Sequence, residues 1–226
     1  MLVRRVPAGP ATSAMMGFTD RGDGDFHVDG PADGLDLLRK QTMAGEWTWL
    51  RQAHGADVVT VTRLGEGSGA SADAAVTTVL GAVLAVQTAD CVPIVFTGDG
   101  VIGVAHSGWR GIVEGVVPAT VERMRQLGAD NLLATIGACI RPSHYEFGPE
   151  DLDAVVAVTG DAVRSMTDAG NPALDMAMAA RVALEKAGVE RINDLGHNTA
   201  DERFYSHRTR GDTGRQVSVV RLEANR

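Results

Sequence analysis

Residues 91–106 read CVPIVFTGDGVIGVAH. The apolar, Val-rich runs on either side of Asp99 and Gly100 are typical of buried strands. Asp-Gly between two such runs predicts a type I′ hairpin turn, because both central residues of that turn need positive φ. Cys91 opens the first strand and His106 closes the second. The hairpin therefore places these two side chains near the same end of a sheet.

A third residue of related chemistry is His54, in the loop of LRQAHGADVV. One thiolate and two imidazoles are ligands that zinc and copper accept, and three protein ligands leave a fourth position for water or substrate. Taken singly, each residue is more often a packing residue than a ligand. Their place at the ends of apolar runs, where loops begin, favours function. The pattern predicts a catalytic metal centre of His54, Cys91 and His106.

Composition limits the class of protein. The chain has 226 residues and a formal net charge of -8, with acidic and basic residues interspersed, which argues against a nucleic-acid partner. It has neither an apolar run that spans a bilayer nor the apolar core of a secretory signal. We expect one domain over residues 1–226, cytoplasmic, as a monomer or homodimer. In a reducing compartment, Cys91 and Cys139 are expected to be free or metal-bound.

Apolar periodicity predicts a mixture of helices and strands. Residues 1–30 are rich in Gly and Asp and are expected to form loops around at most a short strand. Helices are expected in LDLLRKQTMAG, IVEGVVPATVERMRQLG, DLDAVVAVTG and DMAMAARVALEKAG. Besides the central hairpin, strands are expected in WTWLRQ, ADVVTVTRL, AAVTTV, AVLAVQT, NLLATIGACI and at the end of the chain.

Two segments are candidate anion sites. SGWRG follows His106 and leads into a helix, whose first N–H groups and dipole suit an anion, and Arg110 adds a forked donor. The alternative is a plain strand-to-helix connection. Arg208, Arg210 and Arg215 lie in the loop before the last strand, where they either hold phosphate or form a solvated charged face.

Six segments carry a resemblance to a known family. RQAHGADVV, DAAVTT, TADCVPIVF, GVAHSGWRG, GACIRPSHYEFG and RFYSHRTRGDTGRQ resemble, in this order, the signatures of the YfiH family, called multicopper polyphenol oxidoreductases (laccases) in older naming. The resemblance implies an α/β (α+β) fold of mixed sheets flanked by helices, like the cysteine hydrolase-like fold of a bacterial deamidating toxin. It implies His54, Cys91 and His106 as metal ligands and catalytic residues. Arg51, Asp73, Arg110 and Arg208 are implied near the substrate.

The resemblance also implies an activity. Family members are described as zinc-dependent purine nucleoside phosphorylases that act on adenosine, inosine, guanosine and methylthioadenosine and that deaminate adenosine. The expected partners are thus a purine nucleoside and phosphate, with zinc, or copper, as cofactor. Phosphorolysis needs a placed phosphate and charge relief on the departing base, for which Asp73 is our candidate acid. Deamination needs an activated water, and zinc lowers the pKa of bound water to about 7.

Two other enzyme classes stay open. Cys91 with His106 as its base would make a hydrolase that acts on an amide, such as a cell-wall precursor. A copper-dependent polyphenol oxidase (laccase) would need many His ligands, including His-X-His pairs. The chain has six His and no such pair. The remaining four are expected to be surface or packing residues: His27, His144, His197 and His207.

The chain departs from the family pattern at several positions. The N-terminal signature is reduced to TDRGDGDFH. Asn198 stands where a Cys is usual, Arg141 where a Gly is usual, and Arg208-Thr209 replaces a double Arg. These changes bear on substrate preference more than on the metal ligands.

Overall fold

The central hairpin forms as predicted. The structure, a computed structural model, describes residues 1–225. Asp99 and Gly100 have φ of 48° and 83°, as a type I′ turn requires. Pro93 pairs with His106 across the two strands. Cys91 and His106 therefore lie at the same end of the sheet.

Strands make up most of the regular structure. They are β1 (Leu2–Pro7), β2 (Thr12–Phe18), β3 (Trp47–Arg51), β4 (Val58–Val61), β5 (Ala70–Ser71), β6 (Ala74–Thr77), β7 (Val83–Thr88), β8 (Val92–Gly98), β9 (Val101–Ser107), β10 (Leu133–Ile136), β11 (Arg164–Met166), β12 (Pro172–Leu174), β13 (Arg191–Asp194) and β14 (Gln216–Ala224). The α-helices are α1 (Ala32–Thr42), α2 (Trp109–Glu114), α3 (Val116–Gln126), α4 (Pro149–Thr159), α5 (Met176–Lys186) and α6 (His207–Arg210).

The strands form two six-stranded sheets. The first has the order β1-β2-β14-β7-β3-β5 and the second the order β13-β10-β8-β9-β6-β4. Both are mixed, since β3 runs parallel to β7 and β10 parallel to β13, whereas β7 is antiparallel to β14 and β10 to β8. The predicted arrangement of mixed sheets flanked by helices is confirmed.

The core has three layers of apolar contact. Leu84 and Val86 of β7 meet Ile102 and Val104 of β9 between the two sheets. The other face of the second sheet packs against α3 and α5, and the outer face of the first sheet, which includes Trp47, is covered by residues such as Phe26 and Met43. Because alternate residues of a strand face opposite ways, the side chains that follow Val86 and Val104 by two positions also face the space between the sheets.

The expectation of loops over residues 1–30 is wrong for the first part of that segment. β1 and β2 form an antiparallel hairpin, and β2 also pairs with β14. The sequence of β2, TSAMMGF, holds a single β-branched residue, so its strand propensity is weak. Its place in the sheet is stabilised by pairing with a strand from the other end of the chain.

The predicted helix after His106 is in fact two helices. α2 and α3 are separated at Gly115, whose φ is 88°. This left-handed conformation is accessible to glycine at little cost. Pro118 lies in the first turn of α3, where its missing N–H removes no helical hydrogen bond. The break confines α2 to six residues beside the end of β9.

Within residues 1–225, Cys91 and Cys139 are both free thiols, and Cys139 is buried.

In the same part of the chain, the helices are all too short or too polar to cross a bilayer.

We predict opposite effects for two Gly-to-Ala changes. Gly100→Ala places a side chain at φ 83°, which lowers the free energy of unfolding by about 1–2 kcal/mol. Gly34→Ala in α1 meets open space and raises it by roughly 0.5–1 kcal/mol, because alanine loses less entropy in a helix. Urea denaturation of both variants checks this. A Gly100→Ala protein as stable as the wild type would contradict the turn assignment.

Candidate active site

A buried carboxylate organises the site. Asp73 precedes β6 and is 1% exposed. Its Oδ2 accepts hydrogen bonds from the N–H groups of Ala53 (3.1 Å) and Gly55 (2.8 Å), and its Oδ1 from that of His54 (3.0 Å). Oδ1 also lies 2.8 Å from Nδ1 of His106. One side chain therefore fixes the loop that carries one histidine and the ring of the other.

His54 has an unusual backbone conformation. Its φ is 62°, a left-handed value that is uncommon outside glycine. The hydrogen bonds from the loop to Asp73 hold this conformation. The His54 ring stands edge-on to that of His106, with centroids 4.8 Å apart. Its Nε2 lies 3.7 Å from Sγ of Cys91, so the three predicted residues come together.

The three side chains fit a tetrahedral metal ion. Their donor atoms all lie within 4.8 Å of one another. Bonds of about 2.3 Å to sulfur and about 2.0–2.1 Å to nitrogen place S and N ligands of zinc roughly 3.5 Å apart. Because Nδ1 of His106 bonds to Asp73, its Nε2 is left for the ion. A carboxylate behind a histidine is the usual support of a metal-binding imidazole.

Glycine at position 108 keeps this space open. A Cβ there would lie 2.8 Å from Cδ2 of His54 and 3.1 Å from Sγ of Cys91. These distances are shorter than ordinary van der Waals contacts, so any other residue would displace a ligand. The requirement for Gly108 is therefore steric, since its φ of -73° is accessible to every residue.

Cys91 and His106 form a coupled ionisable pair. Burial raises the pKa of Cys91, but the charge of His106 and hydrogen bonds from His106 and His54 outweigh it, and the pKa falls from 9.0 to about 6. Burial lowers the pKa of His106, but the Cys91 thiolate and the hydrogen bond to Asp73 raise it to about 9. Both shifts favour a thiolate–imidazolium pair in the metal-free protein. Metal binding must then release the imidazolium proton.

The triad opens onto a cleft of about 630 Å³. Arg51 lines one wall and pairs with Asp29 at 2.9 Å. Arg208 also lines the cleft, and its guanidinium stacks 4.4 Å from the centre of the Tyr145 ring. The cleft thus combines cationic groups with one aromatic face. Further cleft residues include His27, Gln52, Ser71, Gln87, Thr88, His207 and Arg215.

Asp90 connects the Arg208 segment to the loop of Cys91. Its φ is 100°, and its carboxylate accepts hydrogen bonds from the N–H of Arg208 (2.7 Å) and the hydroxyl of Thr199 (2.6 Å). Asp90 directly precedes Cys91. The segment that carries Arg208 is therefore tied to the loop that carries the thiol.

The structure separates the four expected substrate-binding residues into two groups. Arg51 and Arg208 line the cleft. Asp73 lies behind the triad with both oxygens engaged, so the expectation that it contacts substrate as an acid is not supported. Arg110 is exposed, stacks on Trp109 at 4.2 Å and is not among the residues that line the cleft.

Sequence reasoning missed several cleft residues. His27 and His207, expected to be surface or packing residues, lie on the cleft wall with Arg215. Tyr145 and His207 belong to the segments RPSHYEFG and SHRTRG, which the family resemblance already singled out. No local pattern distinguishes Thr88 or His27 as cleft residues.

Two of the departures from the family pattern contact each other. Arg141 forms a two-bond ion pair with Asp194 at 2.9 and 2.7 Å. The side-chain oxygen of Asn198 accepts from the N–H of Arg141 at 3.2 Å. Neither residue lines the cleft, whereas Arg208 of the Arg208-Thr209 pair and His27 of the TDRGDGDFH segment do.

Comparison with known proteins identifies the family. The model of the multi-copper polyphenol oxidoreductase laccase family matches residues 10–223. The chain belongs to this YfiH/laccase-like family. The purine nucleoside phosphorylase YfiH of Escherichia coli (strain K12) is 35% identical over 207 residues, which cover 89% of this chain and 83% of that protein. A purine nucleoside phosphorylase of Deinococcus radiodurans is 38% identical over 184 residues, 79% of this chain and 71% of that one.

Solved structures of relatives share the fold. The crystal structure of the Neisseria meningitidis protein NMB0706 superposes with a TM-score of 0.81 at 27% identity, covering 98% of both chains. YlmD from Geobacillus stearothermophilus gives 0.80 at 27% identity, covering 96% of this chain and 94% of that one. The predicted family resemblance is thus confirmed in sequence and in fold.

The family name refers to several copper ions. Within residues 1–225, His54, Cys91 and His106 form the single group of three or more potential ligands placed to share one ion. The described part of this chain therefore offers one three-ligand site.

We predict that Cys91 alone is alkylated rapidly in chelator-treated, folded protein. The thiolate is the reactive form, so the iodoacetamide rate should rise with a midpoint near the lowered pKa of about 6 and level off above it. Burial raises the pKa of Cys139 to about 12, and that thiol should stay unmodified. Mass spectrometry of labelled peptides across pH values distinguishes the two. In His106→Gln the midpoint should move upward; an unchanged profile would contradict the pairing.

We also predict that Asp73→Asn weakens zinc binding about 10- to 100-fold, the usual effect of losing a carboxylate behind a metal-binding histidine. Competition with a fluorescent zinc indicator measures this, with Asp29→Asn on the cleft rim as the matched control. Because the new amide would also meet three N–H donors, circular dichroism must show that the variant is folded. Gly108→Ala is the second test, since it shifts His54 and Cys91 without touching the carboxylate. Wild-type affinity in both variants would contradict the assigned ligands.

Proposed function

We propose that this protein is a purine nucleoside phosphorylase with a single metal ion, zinc, held by His54, Cys91 and His106. The observation that carries the proposal is that this triad opens onto a cleft walled by Arg51 and Arg208. The relatives at 35% and 38% identity that are named purine nucleoside phosphorylases support the substrate class.

The cleft suits the two substrates of phosphorolysis. In this reaction a phosphate oxygen bonds to C1′ of the ribose, the bond from C1′ to the purine nitrogen breaks, and the base leaves with a proton. Arg51 and Arg208 supply fixed positive charge for phosphate, which guanidinium groups bind with paired hydrogen bonds. Tyr145, which packs against Phe147 at 5.2 Å, offers an aromatic surface for the purine.

Zinc and Asp73 have distinct tasks in this proposal. When bound, zinc supplies a Lewis acid and lowers the pKa of a bound water to about 7. Asp73 acts as a positioning residue that holds His106 through Nδ1 and His54 through its N–H. Deamination of adenosine, which needs an activated water, is proposed as a second reaction of the same cleft.

A specific observation favours a second candidate. Asp73 hydrogen-bonds to His106, and the charge of His106 lowers the pKa of the nearby Cys91 thiol. This is the arrangement of a Cys nucleophile, a His base and an orienting carboxylate. An amide hydrolase would use it without metal. Sites of this kind generally bind copper more tightly than zinc. Copper held by the same triad would be the basis of any polyphenol oxidation.

Product analysis tests the proposal. Zinc-loaded protein is incubated with adenosine, with and without phosphate, and the products are separated by chromatography. We expect adenine and ribose 1-phosphate only with phosphate, and inosine as the product of deamination. His54→Ala, Cys91→Ala and His106→Ala should each lower kcat/KM by roughly 100-fold or more, since even small misplacements at a reacting centre cost that much. Arg110→Ala, outside the cleft, is the control.

The outcomes separate the candidates. Unchanged adenosine under both conditions would show that the phosphorylase proposal is wrong. Cleavage of amide substrates by chelator-treated protein, abolished by Cys91→Ala, would then establish the hydrolase. Full activity of all three folded triad variants would refute both proposals.

A further inference from the structure

A buried hydroxyl on the cleft wall has no partner in the protein. Among residues 1–225, five buried side-chain atoms make no hydrogen bond; they belong to Arg21, Thr60, Thr88, Thr97 and Ser107. Of these residues, Thr88 lines the cleft that holds the triad. Buried polar groups in folded proteins are nearly always paired, because an unpaired one costs free energy. The exception at Thr88 coincides with the candidate active site.

Thr88 is held rigidly in place. It ends β7, is 2% exposed and pairs with Gln216 of β14. Just before it, the side chain of Gln52 bonds to both backbone groups of Gln87, donating to the carbonyl at 2.7 Å and accepting from the N–H at 2.9 Å. The strand end is therefore fixed on both sides, and the free hydroxyl is not the result of a loose loop.

The Thr88 side chain lies between the two sheets, at the end that carries the triad. Leu84 and Val86 of the same strand belong to the core between the sheets, so Thr88 faces that space as well. On the other sheet, Ile102 and Val104 of β9 belong to the same core. His106 follows Val104 by two positions and therefore faces the same space. Cys91 follows Thr88 by three residues, on the chain that crosses from one sheet to the other.

We propose that the Thr88 hydroxyl binds a ribose hydroxyl of the nucleoside, an inference that rests on the proposed phosphorylase function. The neighbouring cations, Arg51 and Arg208, can only donate hydrogen bonds, which matches the oxygens of phosphate. A sugar hydroxyl both donates and accepts, and so does threonine. Thr88 therefore complements the sugar in a cleft whose charged groups complement the phosphate.

If Thr88 binds a ribose hydroxyl, loss of its own hydroxyl should weaken nucleoside binding without lowering stability. A hydroxyl with a purely structural role would not give this combination. In the free protein an unpaired buried hydroxyl is destabilising, so replacing it with a methyl group of similar shape should not lower stability. In the complex, the same change removes a hydrogen bond. Thr88→Val should therefore unfold at the same or a higher temperature than the wild type and still bind nucleoside more weakly, as expected of a polar group kept for function.

The experiment compares three variants of zinc-loaded protein. Thr88→Val removes the hydroxyl, Thr88→Ser keeps it, and Thr97→Val removes an equally unpaired hydroxyl in β8 that lies outside the cleft lining. KM for inosine is measured at saturating phosphate, KM for phosphate at saturating inosine, and Tm by calorimetry. Thr88→Val should raise the inosine KM about tenfold, the effect of one hydrogen bond, without changing the phosphate KM. Thr88→Ser and Thr97→Val should keep both values.

Deoxynucleosides identify the contact on the substrate. For the wild type, one of 2′-deoxyinosine, 3′-deoxyinosine and 5′-deoxyinosine should lose affinity relative to inosine, and in Thr88→Val that loss should disappear. Such coupling is the mark of a direct interaction.

The outcomes are distinguishable. An unchanged inosine KM in Thr88→Val with an active wild type would overturn the role of Thr88 and leave the proposed function intact. A rise confined to the phosphate KM, or the same rise in Thr97→Val, would overturn it too. If the wild type converts adenosine but not inosine, the same comparison of KM values is made with adenosine; if it converts neither nucleoside, the proposed function is wrong and the assignment of Thr88 is wrong with it.

Discussion

The hydrogen bonds of the Asp73 carboxylate determine the geometry of the whole site. Three backbone N–H groups of residues 53–55 and one imidazole nitrogen converge on its two oxygens. Burial alone raises the pKa of Asp73, but the hydrogen bonds from His106 and the loop outweigh it and hold the pKa below the ordinary value. A carboxylate is suited to this place because it only accepts. With both oxygens engaged, Asp73 has none free to bind a substrate. Asp73 therefore positions the other residues of the site.

The fold brings the other groups to Asp73 by crossing repeatedly between two sheets. His54 lies on the connection from β3 in the first sheet to β4 in the second, and Cys91 on that from β7 to β8. Arg208 lies on the return from β13 to β14. Crossings leave irregular backbone at one end of the sandwich, including the positive φ values of His54 and Asp90. Strained conformations of this kind persist where surrounding contacts hold them, and they concentrate at functional sites.

The electrostatics of the cleft differ from those of the whole protein. The net charge is -8, yet three arginines, Arg51, Arg208 and Arg215, line the cleft against two carboxylates, Asp29 and Asp90. A concentration of cationic side chains in a concave site attracts an anionic substrate and raises its local concentration. In the proposed function, this positive charge binds the phosphate.

The sequence by itself determined the central hairpin, because Asp99-Gly100 specifies its turn locally, and with it the proximity of Cys91 and His106. It also determined the chemistry of the triad and the family, since ligand types and signature segments are properties of the chain alone. Tertiary structure decided the rest. The donors to Asp73 come from up to 33 residues away, β2 pairs with a strand from the far end of the chain, and Arg110 is not among the cleft-lining residues although its motif is intact. Periodicity and turn chemistry act over a few residues, whereas hydrogen-bond partners and unpaired groups such as the Thr88 hydroxyl are fixed only when distant segments pack together.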